Sequence, residues 1–241
     1  MKKNFIFFVL SVFLTTHLTA QRKVTTVGFQ IKPIFPNSFL SAGTKTIYQD
    51  NVRFDLTLAS GFSAGMMVRH GFSDLLAIES GINYVKRSHE LKITDGSFEG
   101  TSKFRIIGYE IPVNLLVYIR LGEKIFMNAS MGPAVDMFAS DVQSSDDYYE
   151  QRSYRNNIFQ PAVNGNLGLE YRTAKSGYFY IGASYHQPFS YIYATEIHYP
   201  KNNTVPVIET IDGNYFTLDL RYFFYEDPKK KTPPKNDDEE Q

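Results

Sequence analysis

A regular alternation of apolar and polar side chains runs along most of this chain, and it constrains the fold more than any other feature. From Tyr109 to Ile119 every second residue is apolar, whereas Glu110 and Asn114 lie between them. Side chains of a β-strand alternate between two faces with a period of two, whereas an amphipathic helix has a period near 3.6. No window carries a sustained helical stripe, so the sequence predicts an all-β chain.

Eight segments share this alternation and are predicted as strands near 25–36, 56–70, 75–89, 104–120, 125–139, 158–172, 178–190 and 214–225. A tilted strand crosses a bilayer with about 9–11 residues, and each of these segments is at least that long. Tight connections at 71–74, 121–124 and 173–177 alternate with longer ones at 37–55, 90–103, 140–157 and 191–213. The pattern predicts an eight-stranded antiparallel up-and-down transmembrane β-barrel with short periplasmic turns and long external loops.

The polar face of these strands carries four bases and four acids, which are Lys32, Arg69, Arg172, Arg221, Glu79, Glu110, Glu170 and Asp219. Eight strands enclose a space just wide enough for side chains, and buried charges must pair with one another. We therefore expect the polar face to point inward as a structural charge network that plugs the barrel. A small porin and a soluble ligand-binding barrel with its polar face outside are the alternatives.

The two ends of the chain differ from the strands. Residues 1–20 combine Lys2 and Lys3 with an apolar run over 5–14, which predicts a cleaved signal peptide and a barrel over 21–227. Residues 228–241 are rich in Lys, Pro and acids and are predicted to form a disordered tail. An even number of strands puts both termini on the periplasmic side of the cell outer membrane.

Composition excludes several classes of function. The chain has no cysteine, so it has neither a disulfide framework nor a thiolate metal site. Its 25 basic and 25 acidic residues balance, which argues against non-specific nucleic-acid binding. Aromatic residues near the tight turns are predicted to form a belt at the membrane interface. They are Phe72, Tyr118, Phe126, Tyr171, Tyr178, Phe179 and 222–225.

Two groups of residues suggest chemistry. Ser184 and His186 share one strand face, and with a carboxylate they would resemble an acyl-transfer site of a lipid-modifying barrel. Asp141, Asp146, Asp147 and Glu150 lie in one long loop and offer oxygen ligands for calcium. Residues two apart on a strand commonly coincide, and the acidic spacing fits no known calcium loop. We therefore expect no enzyme, no cofactor and no metal site.

Four stretches together resemble the PorT-like outer-membrane β-barrel family of Gram-negative bacteria. They are YEIPVNLLVY at 109–118, NASMGP at 128–133, NLGLEYR at 166–172 and FTLDLRYFF at 216–224. The resemblance implies an outer-membrane barrel with a structural, assembly or interaction role, since one class of members serves type IX secretion and gliding machinery. It also implies contact with outer-membrane lipid, with the barrel-assembly machinery and with a membrane or periplasmic protein partner.

Overall fold

The computed structural model describes residues 24–36, 44–73, 75–199 and 205–226, so the predicted signal peptide and tail lie outside the described residues. No helix in this part of the chain is long and apolar enough to cross a membrane. The described residues form thirteen strands. These are β1 (Thr25–Phe35), β2 (Lys45–Gln49), β3 (Val52–Gly71), β4 (Leu76–Asp95), β5 (Phe98–Arg120), β6 (Ile125–Met137), β7 (Val142–Asp146), β8 (Tyr149–Arg155), β9 (Phe159–Arg172), β10 (Tyr178–Pro188), β11 (Tyr193–His198), β12 (Val207–Ile211) and β13 (Tyr215–Phe223).

Eight of these strands pair in a circuit, which we call the ring. Its order is β1, β3, β4, β5, β6, β9, β10 and β13, and it returns to its start because β1 pairs with both β3 and β13. Every pair in the ring is antiparallel. The predicted all-β, antiparallel, up-and-down sheet is confirmed.

The predicted count of eight strands is wrong for the described residues, which contain thirteen. Three long connections contain the additional strands: β2 lies in the first, β7 and β8 in the third, and β11 and β12 in the last. The predicted connection over 90–103 is a continuation of β4 and β5, which meet at a turn where Gly96 has a φ of 57°. Strands β7, β8, β11 and β12 form a separate four-stranded sheet, which we call the cap sheet.

The additional length of β4 and β5 comes with a change in the phase of their apolar–polar alternation. On β5 the outward side chains change from Lys103 and Arg105 to an apolar series that begins at Ile107, which is 45% exposed. The inward side chains change in the opposite sense, from the fully buried Ile106 to Glu110. Strand β4 shows the same reversal. The ring therefore has a lower zone with a polar interior, next to the tight turns, and an upper zone with an apolar interior.

The cap sheet covers the apolar inner face of the upper zone. Eight buried residues from β3, β4 and the cap region form one core cluster: Val52, Phe54, Leu91, Ile93, Tyr149, Ile197, Tyr199 and Val207. The Lys45 ammonium joins β2 to β12 by donating to the Thr210 carbonyl at 2.8 Å, and it lies 3.0 Å from the Asp212 carboxylate. Burial and the Asp95 carboxylate, to which it donates, raise the pKa of the Tyr199 phenol. This phenol therefore stays protonated at neutral pH.

Candidate functional site

Six charged side chains of alternating sign run across the interior of the lower zone. Their order is Arg172, Glu170, Arg69, Glu79, Arg221 and Asp219, from strands β9, β3, β4 and β13. The consecutive nitrogen–oxygen distances lie between 2.5 and 2.8 Å. All six side chains are buried except that of Arg172, which keeps 11% of its surface exposed. Three guanidinium groups neutralise three carboxylates, so this chain of ion pairs has no net charge.

Aromatic rings cover the guanidinium groups of this chain. The Arg69 guanidinium carbon lies 3.8 Å from the centre of the Phe223 ring, and that of Arg172 lies 4.0 Å from the centre of the Phe126 ring. A cation over an aromatic face is attracted more strongly where water is excluded. The predicted belt is therefore wrong for Tyr118, Phe126, Tyr178 and Phe223, which point inward and are buried. The other described members of the predicted belt are not buried: Phe72, Tyr171, Phe179, Tyr222, Phe224 and Tyr225.

A second buried cluster lies above the first, near the border with the upper zone. His186 contacts two carboxylates, with Nε2 at 2.9 Å from Asp136 Oδ2 and Nδ1 at 3.3 Å from Glu110 Oε2. The Tyr215 hydroxyl donates to Glu110, and its ring stacks on the imidazole with centres 4.9 Å apart. Arg87 lies 3.4 Å from Asp136. This cluster joins β4, β5, β6, β10 and β13.

Of this second cluster, only Glu110 belongs to the predicted charge network. Arg87 and Asp136 are absent from that prediction, and His186 is predicted only as a candidate catalytic group. The alternation contained the information, because Arg87 lies eight residues after Glu79 on β4 and so points to the same face. Asp136 likewise shares its face with Asn128 on β6.

Lys32 lies apart from the chain of six charged side chains. It is 7% exposed and lines a small cavity with Glu110, His186 and two asparagines, Asn114 and Asn164. The free volume of this cavity is about 10 Å³, close to the smallest space that holds one water. At this point the interior of the lower zone is therefore filled by side chains.

The atoms of Glu110, Asp136 and His186 that could bind a metal lie within 4.8 Å of one another. A divalent cation needs ligands whose negative charge is not already compensated. Arg87 contacts Asp136, and Lys32 lines the same cavity as Glu110, so each carboxylate already has a cation nearby. In this structure the three groups lie within a network of charged side chains.

Ser184 and His186 both point inward, as their shared strand face predicts, but they bind different carboxylates. The Ser184 hydroxyl donates to Asp219 and accepts from the Asn166 amide at 2.9 Å, whereas His186 contacts Asp136 and Glu110. A nucleophile–base pair requires a hydrogen bond between the two side chains. The described residues place no such bond between them.

The acidic residues of the third long connection are spread over the cap sheet rather than gathered at one point. Asp141 accepts a bond from the Arg155 backbone N–H at 3.0 Å, and Glu150 accepts from the Arg152 guanidinium at 2.7 Å. Asp146 and Asp147 lie at the turn between β7 and β8. Arg152 and Arg155 on β8 therefore contact two of the four acidic residues, Glu150 and Asp141.

Comparison with known proteins supports one assignment. The chain is similar in structure to the outer membrane protein OprG from Pseudomonas aeruginosa, with a TM-score of 0.57 over 87% of this chain and 100% of that chain. The fold is that of an outer-membrane β-barrel. Sequence identity is 15%, so the similarity shows the fold alone. Neither a protein-family model nor a curated protein matches the chain, and the resemblance to PorT-like proteins rests on the quoted motifs.

Proposed function

We propose that the ring is a closed eight-stranded barrel in the outer membrane and that it acts as a rigid, non-enzymatic platform for assembly or interaction. The phase reversal along β4 and β5 carries this proposal. Where the outer face is apolar the interior is charged, and where the outer face is charged the interior is apolar. A strand needs this reversal if it leaves lipid and continues into water, because each zone must match a different solvent.

The size of the lower zone supports a membrane location. On β5 the outward apolar series runs from Ile107 to Ile119, a span of thirteen residues. At a rise of about 3.3 Å per residue and a tilt of about 40°, this span covers about 30 Å along the barrel axis. The apolar band of an outer-membrane barrel is about 25 Å tall, and the hydrocarbon core of a bilayer is about 30 Å thick.

The filled interior supports a structural role over transport. Two ion-pair clusters and the aromatic rings between them occupy the lower zone, and each guanidinium group in the chain of six contacts at least one carboxylate. A small porin needs a continuous aqueous path instead. The separate hydrogen-bond partners of Ser184 and His186 likewise favour the structural role over lipid modification.

The tight turns define the periplasmic side in this proposal, so the upper zone and the cap sheet project outside the cell. The proposed partners are outer-membrane lipid, the barrel-assembly machinery and a membrane or periplasmic protein. A place in a type IX secretion or gliding assembly rests on the PorT-like motifs alone. Cross-linking in intact membranes, followed by mass spectrometry of the captured proteins, identifies the partner.

Two measurements test the proposal. The protein is expected to fractionate with outer membranes and to migrate differently on gels before and after boiling, as stable barrels do. Planar-bilayer recordings of the purified protein are expected to show no steady channel. Recovery from the periplasm without detergent would overturn the membrane location, and a steady conductance of nanosiemens size would overturn the filled interior.

A further inference from the structure

Three aromatic rings on neighbouring strands lie near the outer border of the apolar band. Phe62 on β3, Tyr84 on β4 and Tyr109 on β5 lie in a row, with ring centres 5.8 and 6.0 Å apart. Amphipathic rings favour the level of lipid headgroups. If the proposed function holds, this row lies near the outer-leaflet surface, and the basic side chains above it face headgroups rather than acyl chains.

Five basic side chains point outward from β3, β4 and β5 above this row, and they fall into two groups. The three that belong to the first group each have a carboxylate partner: Arg53 with Asp55 at 2.9 Å, Lys92 with Glu99 at 3.1 Å and Lys103 with Glu90 at 3.4 Å. The second group is Lys86 and Arg105. Among the described residues, no carboxylate forms an ion pair with either of them.

The two cations without an ion pair are the ones nearest the apolar band. Arg105 is exposed and lies directly opposite Ser88, and Lys86 is two residues before Ser88 on the same strand and face. Diagonal neighbours of this kind have Cβ atoms about 7–8 Å apart, a gap that one phosphate group can bridge. Lys86 lies two residues above Tyr84 on β4 and directly opposite Phe62, and its ammonium is 5.8 Å from the centre of the Phe62 ring, so it borders the aromatic row.

The wall of the barrel next to and below these cations is apolar. Ile107, directly opposite Lys86, is 45% exposed, Ile82 is 50% exposed, and Met66 lies directly opposite Ile82 on β3. This face of the barrel thus places two positive charges and the Ser88 hydroxyl at the upper edge of an apolar wall that suits acyl chains. This combination matches one molecule with a phosphate head and several hydrocarbon tails.

We propose that Lys86, Ser88 and Arg105 form a binding site for the phosphate group of an outer-leaflet lipid whose acyl chains lie against β3, β4 and β5. Arg binds phosphate through a planar fork of donors, and Lys binds it as a point charge. The proposal rests on the proposed membrane location. It deepens that function by assigning this face of the barrel to one lipid class.

The test uses the purified full chain in nanodiscs of zwitterionic phospholipid. Lipid A with both phosphates is titrated in, and bound lipid is counted by native mass spectrometry. Lipid A without phosphates, with the same acyl chains, is titrated in parallel, and inorganic phosphate is added as a competitor. The expected result is retention of phosphorylated lipid A, weaker retention of the dephosphorylated form, and no displacement by inorganic phosphate at equal concentration.

Two double variants separate the site from general charge. The test variant is Lys86→Gln with Arg105→Gln, and the matched control is Lys92→Gln with Lys103→Gln, which removes the same charge from the same face higher up. A basic side chain near an anionic surface strengthens binding about fivefold, so the test variant is expected to lose about 25-fold in affinity. The control is expected to change by less than about threefold.

Each alternative outcome is decisive. Equal losses in both double variants would overturn the site in favour of a diffuse field. Equal retention of the two lipids would also overturn it, as would full displacement by inorganic phosphate. The gel shift on boiling is recorded for each protein. If the barrel is folded but does not distinguish the two lipids, only the phosphate site is overturned. If the unaltered protein shows no gel shift, the membrane barrel itself is overturned.

Discussion

Replacement of Arg69 by methionine tests the chain of six charged side chains at its centre. Arg69 binds Glu79 at 2.8 Å and Glu170 at 2.5 Å, and the Phe223 ring covers its guanidinium group. Breaking a buried ion pair costs about 3–5 kcal/mol, because the remaining charge stays buried without a partner. Here Glu79 keeps Arg221 and Glu170 keeps Arg172, so we expect a loss near the lower limit, about 3 kcal/mol.

A second substitution, Glu79→Gln, gives a sharper test when it is added to Arg69→Met. The double variant Arg69→Met with Glu79→Gln leaves two neutral pairs, Arg172 with Glu170 and Arg221 with Asp219. Because no charge is then left over, the double variant is expected to be more stable than Arg69→Met alone, by about 1–2 kcal/mol. Coupling energies of about 0.5–3 kcal/mol are usual for residues within one network.

Urea unfolding in lipid vesicles measures these differences. The chain has no tryptophan, so the unfolding transition is followed by far-ultraviolet circular dichroism and by gel mobility without boiling. The control is Arg120→Gln, at an exposed position at the end of β5, which is expected to change stability by less than about 0.5 kcal/mol. The single variant Glu79→Gln is measured in the same way. If the stability losses of Arg69→Met and Glu79→Gln simply add in the double variant, the ion pairs do not form a connected chain and the reasoning is refuted.

Three further predictions follow from the upper zone and the second cluster. Ile197→Ala removes a buried side chain of the cap sheet and should lower the stability of that sheet by about 2–5 kcal/mol. The expected result is faster proteolysis of the cap sheet while the gel shift on boiling persists. Loss of the gel shift would show that the barrel and the cap sheet unfold together. A tag inserted at Asp147, in the turn between β7 and β8, should be labelled on intact cells, whereas a tag after Gln241 should not; the reverse pattern would invert the proposed topology. His186→Ala and Ser184→Ala should leave the masses of cellular lipid A unchanged, and a mass shift with either one would indicate catalysis.

The local alternation was enough to predict much of the lower zone. Tyr178–Pro188 and Ile125–Met137 end within two residues of their predicted bounds, because period two is a local property of an extended backbone. The same alternation places all eight predicted network residues on the polar face. Which charges contact each other was beyond local reasoning, since Arg221 and Glu79 are 142 residues apart and meet only when the ring closes.

The sequence by itself determined the strand periodicity, the asymmetry of the connections and the presence of balanced charge on one face. Only the tertiary structure decided which face is inside at each height. The period of two does not tell which face is buried. A strand in lipid turns its apolar side chains outward, whereas a strand in water turns them inward, and both have the same period. The long polar connections are predicted as loops from their composition, although they contain β2, β7, β8, β11 and β12. Their apolar side chains, such as Ile197 and Tyr193, are buried only because β3, β4 and β5 extend past the apolar band and offer them a surface to cover.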